Sequence, residues 1–229
     1  MLGRTGSQGM ARRGGFTLVE AAIALGIVGL VSGAIWYGAS RVQRSAGINA
    51  VGDQLYQIAD NVRGIYNSRQ GIFTQNTAVT GCGAANFNSR LSCQGAYPAD
   101  MTGGPGNFAF HAWDRTAANG SVQVEPVDNA LDNSAAVGPG VTSFGVSFLN
   151  LPVDVCIELA ARHTTPDERL KLKAVIFRDA GGAIDSSYTT PDWGGANALP
   201  VTPTAAVAAC RNAAGGGNVA TLEWVFMLR

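Results

Sequence analysis

Hydrophobic and polar positions divide the chain into three stretches. Over residues 16–40 apolar and small side chains run almost unbroken, and between Arg13 and Arg41 the one charged residue is Glu20. At helical rise such a run covers about 37 Å, enough to cross a hydrocarbon core of about 30 Å with some tilt, so the pattern predicts a membrane span. Next, Ile48, Val51, Leu55, Ile58, Val62 and Ile65 recur at alternating steps of three and four, while Asp53, Gln57, Asn61 and Arg63 fall off that stripe. This is the period of an amphipathic helix with one face on a globular head. The two stretches predict one helix over about residues 16–68, roughly 80 Å long.

From Gly71 onward short β-prone runs alternate with Gly, Pro, Asn and Asp. Residues 141–149, 173–178 and 220–228 are predicted strands, and 152–161 a helix with Pro152 in its first turn and Asp154 at its positive end. The loop-rich stretch 81–119 yields no strand assignment. A long helix followed by an antiparallel sheet gives an α+β class, and no internal repeat is visible.

Charge sharpens the picture at the front of the chain. Basic and acidic residues balance at 16 each and make up 14% of the sequence, which leaves no footprint for specific nucleic-acid binding. Arg4, Arg12 and Arg13 all precede the apolar run with no acid among them, and would hold that end in the cytoplasm. An ordinary signal peptide or uncleaved anchor would share this flank, but a signal-peptidase site should follow the run, and Tyr37-Gly38-Ala39-Ser40 is a weak version of one. A carboxylate five residues into a membrane helix is costly, about 3 kcal/mol for Asp at a helix centre, and implies a partner and a use. Gly26, Gly29, Gly33 and Gly38 suit either close helix approach or the ordinary composition of a span.

The segment Arg12-Arg13-Gly14-Gly15-Phe16-Thr17-Leu18-Val19-Glu20, followed by an apolar helix, resembles the class III signal of type IV pilins and secretion pseudopilins. The resemblance implies cleavage by a prepilin peptidase between Gly15 and Phe16, N-methylation of Phe16, and Glu20 as the assembly carboxylate facing the terminal ammonium of a neighbouring subunit. It also implies a domain plan of leader 1–15, N-terminal helix 16–68 and head 69–229. The implied partners are identical and minor pilin subunits, the peptidase, an inner-membrane assembly platform and the inner membrane itself. The subunit would sit there as a single-pass, N-in protein before joining an extracellular filament.

Four cysteines, Cys82, Cys93, Cys156 and Cys210, all follow the span. An even number on the exported side predicts two disulfides, and proximity favours Cys82 with Cys93, leaving Cys156 with Cys210. A zinc site is the weaker alternative, since no short C-x-x-C hook is present. The run Leu151-Pro152-Val153-Asp154-Val155-Cys156, Cys210, the glycines at 215–217 and the strand Leu222-Glu223-Trp224-Val225-Phe226 resemble the C-terminal disulfide region of type IVb pilins, especially PilS-like pilins of conjugative thin pili. A 15-residue leader, and the 214 residues that remain of 229, favour the same subtype, whereas Phe16 is the type IVa choice of first residue.

Enzyme chemistry is not indicated. His111 and His163 sit in no ligand pair or nucleophile motif, and are expected to be surface or structural. The glycines at 215–217 lead into a strand, not the helix a phosphate loop needs. Asp128 and Asp132 lack a calcium-loop pattern and read as solvated carboxylates. No cofactor is expected. Three function classes follow: a structural pilin serving adhesion, aggregation or mating-pair contact; a type II secretion pseudopilin; and a non-polymerising anchored binding protein. The pairing of Gly15 with Glu20 argues against the third, and neighbouring genes separate the first two.

Overall fold

The computed structural model describes residues 17–67, 87–103, 108–118, 120–127, 131, 142–166 and 171–228. Two compact units divide at Ser45 and Ala46. Helix α1 (Leu18–Asn67) runs through both. With no proline in its 50 residues, nothing breaks its hydrogen-bond ladder. In the first unit its apolar side chains are exposed on every side, with Leu18, Leu25, Leu30 and Trp36 each more than 70% accessible.

In the second unit α1 presents a buried stripe of Ile48, Val51, Leu55, Ile58, Ala59, Val62 and Tyr66. The expected stripe ended on Ile65, but that residue is only partly buried and Tyr66 takes the core position. Arg63, expected off the stripe, is drawn inward. Its Nε donates to the Met227 carbonyl at 2.9 Å, and its guanidinium lies 5.7 Å from the Phe226 ring centroid.

After α2 (Phe87–Cys93) come strands β1 (Thr102–Gly103), β2 (Phe108–Ala109), β3 (Val122–Pro126) and β4 (Ser143–Pro152). Then follow α3 (Val153–Arg162), β5 (Leu172–Arg178), β6 (Ile184–Thr189), β7 (Asn197–Ala198), α4 (Pro203–Ala213) and β8 (Val219–Met227). The eight strands form one sheet in the order β1-β2-β3-β4-β8-β5-β6-β7. All neighbours are antiparallel except β6 and β7. The α+β class holds, and the three expected strands are its central ones. Stretch 81–119, left without strands by the sequence, contains α2, β1 and β2. Pro152 is not in the first turn of α3: it closes β4 and is the residue before the helix, with φ −52° and ψ 137°, while Asp154 does lie in the first turn.

Side-chain alternation on β8 sets the two faces of the sheet. Ala220, Leu222, Trp224 and Phe226 join the α1 stripe, α3 and α4 in the main core. Val225, on the opposite face, forms a second cluster with Val127, Ala174 and Ile176, over which Leu131 and Trp193 pack. Trp224 is completely buried, stands edge-on to Phe148 at 5.7 Å, and donates Nε1–H to the His163 carbonyl at 2.8 Å. A large ring thereby keeps its one polar atom satisfied.

Candidate functional site

Thr17 precedes the first helical residue, and Glu20 lies three residues on. The Glu20 Oε2 accepts from the Thr17 backbone N–H at 3.1 Å and from its hydroxyl at 3.0 Å, while the Glu20 N–H donates to Thr17 Oγ1 at 3.2 Å. This is a reciprocal capping box, which satisfies amide groups that a helix start otherwise leaves bare. Its sequence mark is Thr-x-x-Glu before an apolar run, and it gives the carboxylate a local use at the start of the helix. Both donors converge on Oε2, and Oε1 has no hydrogen-bond partner among the described residues. A helix beginning at Phe16 would have put Glu20 one turn in; instead Thr17 caps the helix and Glu20 is its third residue. Gly15 and Phe16 themselves lie outside the described residues.

α1 is long and apolar enough to cross a membrane, and the window that qualifies it is wholly unburied. Where the run ends, Trp36 and Tyr37 are 80% and 62% exposed. The Arg41 guanidinium lies 5.2 Å from the Tyr37 ring centroid, and the Ser40 hydroxyl donates to the Tyr37 carbonyl at 2.9 Å.

In the head, Cys156 on α3 and Cys210 on α4 are joined across a sequence separation of 54, and both are fully buried. Cys93, at the end of α2, is disulfide-bonded; its expected partner Cys82 lies outside the described residues, as do Asp128 and Asp132. Thr202 caps α4, its hydroxyl accepting from the Ala205 N–H at 3.3 Å. Gly215 and Gly216 then adopt positive φ, turning the chain into β8 as the glycine run suggested.

Both histidines serve the fold. His111 is 1% exposed; its Nε2 donates to the Leu149 carbonyl at 2.6 Å, and its Nδ1 accepts from the N–H groups of Trp113 and Asp114, both at 3.2 Å. That pattern requires the neutral Nε2–H tautomer. Burial pushes its pKa down, against the opposing pull of the Leu149 carbonyl and Asp114. His163 ends α3, meets the Tyr56 hydroxyl through Nδ1 at 3.1 Å, and lies so close over Gly52 that a Cβ there would overlap its ring. Its pKa is also lowered, by burial first and then by Arg162, against Asp53.

One charged pair escaped the sequence reading. Glu223, in the middle of β8, has a fully buried side chain whose Oε2 accepts from Arg178 Nε at 2.6 Å. The carboxylate fits over the sheet because Gly145 on β4 has no Cβ to obstruct it. A lone acid inside Leu222-Glu223-Trp224-Val225-Phe226 was the available clue. Beside this pair an open cleft of about 340 Å³ is lined by residues including Gln123, Asn150 and Asp179, with neither histidine nor cysteine. No group of three or more metal-binding side chains occurs among the described residues.

Residues 10–36 match the family model described as the prokaryotic N-terminal methylation motif. No curated protein matches the chain. The match covers Gly15, Phe16 and Glu20 and takes in the exposed first half of α1, which supports a type IV pilin-like or pseudopilin-like precursor. A membrane-anchored subunit processed before assembly fits both the motif and the apolar helix.

Proposed function

We propose that the chain is the precursor of a structural subunit of a type IV pilus, most like the type IVb pilins. Prepilin peptidase cuts between Gly15 and Phe16 and methylates the new amine. The subunit waits in the inner membrane, N-terminus inward, and polymerises with identical and minor subunits on an inner-membrane platform. The filament serves adhesion, aggregation or mating-pair contact, and the head 69–229 forms its outer surface.

One observation carries this reading: within the methylation motif, Glu20 is held at the start of an exposed apolar helix with one oxygen capping that helix and the other without a hydrogen bond among the described residues. Among residues 17–40 no Lys, Arg or His can match the carboxylate. The ammonium of a cleaved neighbour can, through Oε1, while Oε2 keeps the cap. Two charges that are each expensive in lipid then neutralise each other on assembly. The subtype rests on the Cys156–Cys210 clamp between α3 and α4.

Mass spectrometry of the N-terminal peptide from membranes tests the proposal. The expected species begins at Phe16 and carries one methyl group. A peptide beginning after the apolar run would identify an ordinary signal peptide and end the pilin reading.

A further inference from the structure

We infer that Trp36, Tyr37 and Arg41 form a phospholipid headgroup anchor that fixes where α1 leaves the membrane. The inference rests on the reading of α1 as a span and adds its outer boundary and the chemistry that holds it there.

Position along the helix is the first argument. From Leu18 to Trp36 an α-helix rises about 27 Å, close to a hydrocarbon thickness of about 30 Å. With the capped end at one hydrocarbon surface, Trp36 and Tyr37 arrive at the other. Indole and phenol rings favour that depth because their bodies are apolar and their N–H and O–H tips seek water or headgroups. Both rings are largely exposed in the single chain.

Charge is the second. Arg41 is the first charged residue after Glu20, and no acid occurs between Glu20 and Asp53. A guanidinium here meets no competing carboxylate on its own stretch of helix. It lies over the Tyr37 ring, which brings its stem and its N–H donors back to the level of the ring pair. Lipid phosphate is the group whose geometry matches those donors. At 100° per residue Trp36, Ser40, Tyr37 and Arg41 fall within an arc of about 140°, so rings and charge engage one side of the surrounding headgroup layer together.

Purified full-length subunit in vesicles of phosphatidylethanolamine with a minority of phosphatidylglycerol allows a direct test. Of the four tryptophans, only Trp36 lies in the apolar run, so bromines on the acyl chains report on it, and a Trp36→Phe control removes the signal. Bromines near the headgroup should quench at least about twice as strongly as bromines near the chain ends, as an interfacial ring requires. Arg41→Gln should move the profile measurably toward the deeper quencher. Equal or deeper quenching in the parent protein would overturn the anchor, and an unchanged profile in Arg41→Gln would overturn the phosphate contact. Alkaline carbonate extraction separates this from failure of the span itself: release of the subunit into the soluble fraction would show that α1 is not integrated, and the anchor would fall with it.

Discussion

Two halves of one helix obey different rules. From Leu18 to about Ala39, α1 is apolar around its whole circumference apart from Glu20 and exposed; from Ala46 to Tyr66, it is apolar along one stripe, and that stripe is buried in the second unit. Backbone hydrogen bonding is the same in both. What differs is the solvent each half was composed for. An all-round apolar surface has no stable home in water and requires lipid or other helices, whereas a stripe is matched by a sheet face of the same chain. The first half therefore contributes to assembly and little to the stability of the head, and the second half the reverse.

The largest expected break in that comparison is at Glu20. Glu20→Ala should lower sheared filament on the order of tenfold or more, because the lost contact repeats at every added subunit, while cleavage and head unfolding stay at parental values. Glu20→Gln sharpens the point: its amide oxygen can still cap Thr17, so a filament defect in this variant isolates the charge from the cap. Normal filament yield from cleaved Glu20→Ala subunits would remove the carboxylate from assembly.

Substitutions in the head should do the opposite, costing stability without touching membrane insertion. Replacing Cys156 and Cys210 by Ala opens a loop of 54 residues, worth about 4 kcal/mol in the chain-entropy account, to be measured by denaturant unfolding of the solubilised subunit. Arg178→Ala takes the guanidinium from a fully buried carboxylate, with an expected cost of about 3 kcal/mol, and Arg178→Lys should restore only part of it. Gly52→Ala drives a methyl group into the His163 ring and should cost about 1–3 kcal/mol. If Gly52→Ala also impaired insertion, the independence of the two halves would be refuted.

The smallest effect is one of pH. His111 and His163 both have folded pKa values below their ordinary 6.5, so the unfolded chain binds more protons than the native one once pH drops below that value. Their contribution to stability is full above about pH 6.5 and is lost as pH falls from there through the lowered folded values. The unfolding midpoint should therefore fall between pH 7 and 5. His111→Gln, which lacks the titration, should show a shallower fall.

The sequence exposed elements whose burial pattern is strong and missed those held by tertiary context. Strands β4, β5 and β8 lie at the sheet centre, are buried on both faces and read as nearly continuous apolar runs. β6 went unassigned because Ile184-Asp185-Ser186-Ser187-Tyr188-Thr189 sits near the sheet edge with much of its surface in water. β3 alternates cleanly but is brief and ends in Pro126. Helix α4 should have been legible: Thr202 followed by Pro203 is a cap and a first-turn proline, and Ala206, Ala209, Cys210 and Ala213 keep helical spacing. Its small side chains gave too little hydrophobic contrast. At the N-terminus the motif around Glu20 was legible, but the capping contact with Thr17, which the Thr-x-x-Glu spacing also offers, was not.

The place of β8 has a consequence for how the head is made during export. β4 and β5 do not touch each other through the sheet; β8 lies between them and hydrogen-bonds to both. Until it arrives, β1 to β4 and β5 to β7 are two half-sheets, each with a bare edge. In the proposed N-in topology β8 would cross the membrane after the other described strands, so the sheet would close from its middle, and only once residues as far as Met227 had crossed. A chain shortened before Val219 would keep two bare strand edges and no strand to join them, which should expose it to proteases and to edge-to-edge aggregation.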